Sequence, residues 1–279
     1  VLQRTESIVL KNSPYGEADL LVTFLTLDFG IVNAFAKSPR KIKSRFGSSL
    51  EPLTYSRISL WGREEARLPR LTQSDIIRPF QGLREDLGCF LRLSEMAELT
   101  MGFLPEGEKN EKAFRLLKEI LEMMERGSCA LYTLIYKIKF LGLTGYAPRL
   151  RGCARCGREG KGFYISHGSI LCNQCAGMLS REDKSGSMTH GNGSKNGSVT
   201  LRNGSVTRSV TYRSGSVTLS PGSLRLYETL KRWDLEKTAR IKVSVEMLSE
   251  LSGMLDAHIE YRLSKPLKTR EAYASFRGT

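Results

Sequence analysis

Cys153-Ala-Arg-Cys156, followed after fifteen residues by Cys172-Asn-Gln-Cys175, is the stretch around which the chain divides. A C-x-x-C pair on a tight turn aims both sulfurs the same way, and a second pair opposite it completes a tetrahedron around one ion. Between the pairs, Phe163-Tyr-Ile165 and Ser169-Ile-Leu171 read as short strands joined by a turn at His167-Gly168. The layout predicts a zinc ribbon over 151–181 with Cys153, Cys156, Cys172 and Cys175 as ligands; a pair of disulfides is the alternative. His167 offers a substitute ligand, but four cysteines already fill the shell. Such a closed site keeps no position for a substrate water, so the expected ion is structural.

Outward from the ribbon, both flanks read as helical. Upstream, Leu83, Leu87, Phe90 and Leu91 begin an apolar stripe that runs through Met101 and stops at Phe103-Leu-Pro105. Asn110 caps a second helix carrying Phe114, Leu117, Ile120, Leu121 and Met124, and a third extends from about Ala130 to Leu143. Cys89 and Cys129 read as small core residues. Lys137 and Lys139 lie on the third helix, where a solvated face and a binding role are both open. Downstream, residues 182–219 repeat Gly-Ser-Val at 197, 204 and 215, a low-complexity composition that predicts a mobile insert. The alternative is a hairpin over Val199–Val206 on an Asn-Gly turn. Leu224–Trp233 and Ser244–Leu263 then read as helices, followed by the basic tail Lys265–Arg270.

The first 80 residues alternate with period two instead. Candidate strands are Thr5–Leu10, Asp19–Leu27, Ile31–Ala36, Thr54–Trp61 and Arg70–Ile77. Five short strands with a long link after the third suit a small closed barrel of the OB type, with an SH3-like barrel as the nearest alternative. The link carries Lys37, Arg40, Lys41, Lys43 and Arg45, five cations in nine residues without an acid, and then Phe46. Cations follow phosphates and an aromatic ring stacks on bases, so these six residues form the expected nucleic-acid contact; a solvated basic loop is the bland alternative. Arg63, Arg67 and Arg70 would extend the track, whereas Tyr15 and Trp61 read as core or rim residues.

The chain of 279 residues has a net charge of +14, which points to a polyanionic partner, most often nucleic acid. Runs without charge, such as Leu20–Leu27, are far too short to span a bilayer. No signal peptide is legible at the start, so a reducing cytoplasm is expected, which favours metal over disulfide for the cysteine quartet. The chain contains no G-x-x-x-x-G-K-[ST], H-E-x-x-H or G-x-S-x-G, and a non-enzymatic protein is expected.

Taken in order, Glu6-Ser-Ile-Val-Leu10, Pro14-Tyr-Gly-Glu-Ala-Asp19, Lys43-Ser-Arg-Phe-Gly47, Leu50-Glu-Pro52 and Leu83-Arg-Glu-Asp-Leu87 resemble the bacterial recombination mediator family RecO. So do Leu104-Pro-Glu-Gly107, Leu143-Thr-Gly-Tyr-Ala-Pro148, the cysteine quartet, Leu219-Ser-Pro-Gly222 and Leu263-Ser-Lys-Pro-Leu-Lys-Thr-Arg270. The resemblance implies an α+β multidomain protein: an OB-fold barrel over 1–80, then a helical domain over 81–150 and 220–279 with the zinc ribbon inserted. It implies binding of single- and double-stranded DNA, strand annealing and, with RecR, loading of RecA onto DNA coated by single-strand binding protein. It also implies that the helical domain binds the C-terminal tail of single-strand binding protein, with Lys137 and Lys139 as candidate contacts, and a cytoplasmic, nucleoid-associated location. Two rival functions are an RNA-binding protein of translation and a zinc-dependent nuclease. The insert over 182–219 is longer than the family pattern.

Overall fold

The computed structural model describes residues 1–39, 46–63, 68–160, 162–178, 198–203, 206–211, 216–238 and 240–270. They form two compact units: Val1–Thr144 with the described tail from Pro266, and Gly145–Lys265. The helices after the insert therefore group with the ribbon and not with those before it.

In the first unit, β1 (Leu2–Tyr15), β2 (Asp19–Thr26), β3 (Gly30–Ala36), β4 (Tyr55–Trp61) and β5 (Arg70–Arg78) close into a barrel in the order β1-β2-β3-β5-β4. β3 and β5 run parallel and the other neighbours antiparallel, which is the expected OB topology and not an SH3-like one. β1 is longer than its apolar pattern because it pairs with β4 along its first half and β2 along its second. A register shift between Val9 and Lys11 lets it bend from one partner toward the other. Alternation sends Val9, Val22, Phe24, Ala34, Ala36, Ile58, Leu60 and Leu71 inward to one core. Gly30 sits at φ +66°, and a Cβ there would lie 1.9 Å from the Glu108 carbonyl oxygen, so only glycine fits this turn.

The barrel shares its unit with α1 (Gln81–Glu85), α2 (Leu87–Phe103), α3 (Glu111–Met124) and α4 (Cys129–Leu143). Asp86, Asn110 and Ser128 cap the three longer helices, accepting from the backbone N–H of Cys89, Ala113 and Leu131. α4 is buried on nearly every side, from Tyr132 through Ile138, and is the axis of the bundle. Its contacts with α2 are unexpectedly polar. Tyr136 Oη lies 2.6 Å from Thr100 Oγ1, and Lys137 Nζ lies 2.6 Å from Glu95 Oε1. Cys89 and Cys129 are not separate core thiols: they form a disulfide with Cα atoms 5.6 Å apart, joining the first turns of α2 and α4.

In the second unit, β6 (Gly162–Tyr164) and β7 (Ser169–Leu171) pair antiparallel as the ribbon spacing predicts. The third strand, β10 (Ser216–Thr218), comes from the end of the low-complexity insert and pairs with β6. Inside that insert, β8 (Ser198–Asn203) and β9 (Val206–Thr211) pair antiparallel, as in the alternative hairpin reading. α5 (Pro221–Arg232), the short α6 (Leu235–Thr238) and α7 (Val245–Leu263) complete the unit. Glu250 of α7 accepts from the N–H and hydroxyl of Ser220 at 2.6 and 2.7 Å, which pins the N-cap of α5 to α7.

Candidate functional site

The cysteine cluster is built by local turns. Cys153 N–H donates to Arg158 O at 2.7 Å, and Gly157 N–H returns to Cys153 O at 2.9 Å, closing the first knuckle. The second begins a helical turn, with Ala176 N–H donating to Cys172 O at 2.9 Å. The four sulfurs all lie within 4.8 Å of one another, and Cys156 and Cys172 are 3.7 Å apart. Tetrahedral sulfur ligands at a zinc–sulfur distance near 2.3 Å would be spaced by about 3.8 Å, so this donor set fits such an ion. Its electrostatics favour the same conclusion. The backbone N–H of Cys172, helped by those of Arg155 and Cys156, lowers the Cys153 thiol to about 6. Cys172 is lowered chiefly by the Cys175 N–H, whereas burial pushes Cys175 up to about 12. A divalent cation would stabilise the thiolate form of the ligands and offset the cost of ionising buried Cys175. His167 is exposed and outside the cluster.

The basic link leaves the barrel at Lys37, which is exposed immediately after β3. Ser38 follows at φ +57°, and its N–H donates to Asp19 Oδ1 at 2.6 Å, fixing the direction in which the chain departs. Arg40, Lys41, Lys43 and Arg45 lie outside the described residues, as does Arg67. Phe46 corrects the sequence reading. Its ring is 3 % exposed within the barrel core, beside Leu50, and is not available to stack on a base. Burial outweighs stacking because the closed barrel needs an apolar residue from the link to complete its packing. Arg63 and Arg70 are exposed, and so are Tyr15 at 56 % and Trp61 at 59 %, on the outer surface and not in the core.

Lys137 is the second correction. At 3 % exposure and paired with Glu95, it neutralises a charge between α2 and α4 and cannot reach a partner's surface. Nothing near it in sequence announced Glu95. Lys139 is half-buried on α4. Around the ribbon, Arg149, Arg151, Arg155 and Arg158 are exposed; Arg151 pairs with Glu228 at 3.1 Å, and Arg158 donates to Gln174 at 2.9 Å. The basic tail is anchored, since the N–H groups of Lys268 and Thr269 donate to the Glu98 carboxylate at 2.9 and 3.1 Å. No helix among the described residues is long and apolar enough to cross a membrane.

Two family models match the chain: Recombination protein O N terminal over residues 2–80, and Recombination protein O C terminal over 84–182 and 192–271. The chain is 40% identical over 257 residues to a protein of Thermodesulfovibrio yellowstonii named DNA repair protein RecO, covering 91% of each. A protein of the same name from Desulforamulus reducens is 30% identical over 275 residues, covering 97% of this chain and 93% of the relative.

Proposed function

The chain belongs to the recombination protein O family, and from that premise we propose that it is a non-enzymatic DNA-binding mediator of repair. It binds single- and double-stranded DNA, anneals complementary strands and, with RecR, promotes RecA loading on DNA coated by single-strand binding protein. The observation that carries the reading is a family match spanning both halves of the chain, with a closed OB barrel whose basic link begins at an exposed Lys37. Lys37, Arg40, Lys41, Lys43 and Arg45 hold phosphates, while Phe46 serves the barrel. Zinc is the ion we assign to Cys153, Cys156, Cys172 and Cys175, as a clasp for a ribbon too small to hold itself together. The helical bundle near Lys139 receives the tail of single-strand binding protein, and the protein works in the cytoplasm on the nucleoid.

The test is annealing of complementary strands precoated with single-strand binding protein, with no nucleotide and with a chelator-resistant DNA check. Annealing of intact strands supports the mediator. Cleavage products that vanish with chelator would support a zinc-dependent nuclease instead, and a strong preference for matched RNA oligomers would favour a translation protein.

A further inference from the structure

A row of large side chains crosses the outside of the barrel. Phe35 on β3 and Arg70 on β5 are Cα partners, and so are Arg70 and Trp61 on β4. Their sequence neighbours Ala36, Leu71 and Leu60 belong to the barrel core, so alternation turns these three side chains outward together. Tyr15, at the end of β1, extends the row: its ring meets that of Phe35 edge-on with centroids 5.8 Å apart. Leu2, the partner of Trp61 on β1 and 52 % exposed, ends it on the other side.

An aromatic row left on the surface is informative, because folding normally hides such rings. Here Tyr15 and Trp61 are more than half exposed, Phe35 is half-buried, and a cation stands between the last two rings. Arg70 makes no ion pair among the described residues, and exposed Lys37 and Arg63 leave the same strand ends, one residue past β3 and two past β4. The acids nearby in sequence are Glu17, exposed in the β1–β2 turn, Asp19, which is bonded to Ser38 N–H, and Glu64 and Glu65, which follow Arg63 and lie outside the described residues. Adjacent strands lie about 4.8 Å apart, so Phe35 and Trp61 flank Arg70 over roughly 10 Å. Only a strand whose bases are unstacked offers flat faces to such a row, since a duplex keeps them inside.

We propose that Tyr15, Phe35 and Trp61 form a stacking platform for the bases of single-stranded DNA, with Arg70 between two of the rings. The proposal rests on the DNA-binding reading above and adds to it the barrel face that meets bases, as distinct from the link that meets phosphates.

The chain has two tryptophans, so Trp233→Phe leaves Trp61 as the only indole. This full-length variant is titrated with a thymidine oligomer and with an abasic oligomer of equal length and charge. The thymidine oligomer quenches Trp61 emission and the abasic one does not. Trp61→Ala weakens thymidine-oligomer binding about tenfold, leaves abasic binding and the salt slope unchanged, and Trp61→Phe restores most of the loss. Emission that does not respond to bound thymidine oligomer, equal quenching by both oligomers, or a Trp61→Ala variant that binds as tightly as the parent overturns the platform. If the unaltered chain binds neither oligomer, the DNA-binding reading itself is wrong, and the platform goes with it.

Discussion

His258 shows how a single side chain sets a pH limit on its unit. Its Nε2 donates to Tyr146 O at 2.8 Å, its ring meets Phe163 edge-on, and Nδ1 is buried without a partner among the described residues. Protonation would place a second N–H at that buried nitrogen, beside Arg262. Burial, with Arg262 adding to it, therefore lowers the pKa despite the opposing pull of the Tyr146 carbonyl. A folded value below the ordinary 6.5 or so means that the neutral ring's contribution is present above that pH and is lost as pH falls through it toward the folded value. His258→Gln keeps a donor for Tyr146 but does not titrate. Denaturant midpoints should therefore fall more steeply below about pH 6.5 in the parent than in the variant; parallel curves would remove His258 from the account. Phe46 makes a different residue-scale prediction. Buried in the barrel core, it should cost about 3–5 kcal/mol on truncation to alanine, whereas exposed Lys37→Ala should leave the unfolding midpoint unmoved. Any loss of DNA binding in Phe46→Ala would then follow its loss of fold.

Among the elements, α2 and α4 carry the most specific long-range contacts. The Cys89–Cys129 disulfide closes a loop with a sequence separation of 40, worth about 4 kcal/mol on the chain-entropy estimate. A dithiol reductant, or the double variant Cys89→Ser with Cys129→Ser, should lower the melting temperature of the bundle by several degrees. An unchanged transition under both treatments would show that the bond adds nothing. No local pattern announces this pair, nor Lys137 with Glu95, because partners some 40 residues apart leave no mark on the spacing of either. The barrel strands were legible for the opposite reason: each buries one face, so period two marks its position, although not the double pairing that lengthens β1. Phe46 was ambiguous because a ring beside cations reads alike whether it turns toward bases or into a core. Trp61 reads from the sequence as a core or rim residue, although alternation turns it outward once Leu60 is placed in the core. Val217, buried in β10, was hidden by lying in a Gly-Ser-Val repeat.

At the scale of the whole molecule, the two compact units divide the proposed work. The cysteine cluster lies entirely in Gly145–Lys265, while the basic link and the barrel face lie in Val1–Thr144. Metal removal and charge removal should therefore leave separate signatures. A strong chelator should expose the backbone amides of β6 and β7 to hydrogen exchange, because a ligand that binds only the folded ribbon stabilises only the folded ribbon. Amides of β1 to β5 should keep their protection. In single-strand binding, five phosphate contacts from Lys37, Arg40, Lys41, Lys43 and Arg45 would contribute a log–log salt slope of about −3.5. Lys37→Ala with Arg40→Ala and Lys41→Ala should flatten the measured slope by about 2, and the chelator should leave it nearly unchanged. A triple variant with the parent's slope would take the link out of phosphate binding. A slope that collapses with chelator alone would move the electrostatic contact to the arginines flanking the ribbon.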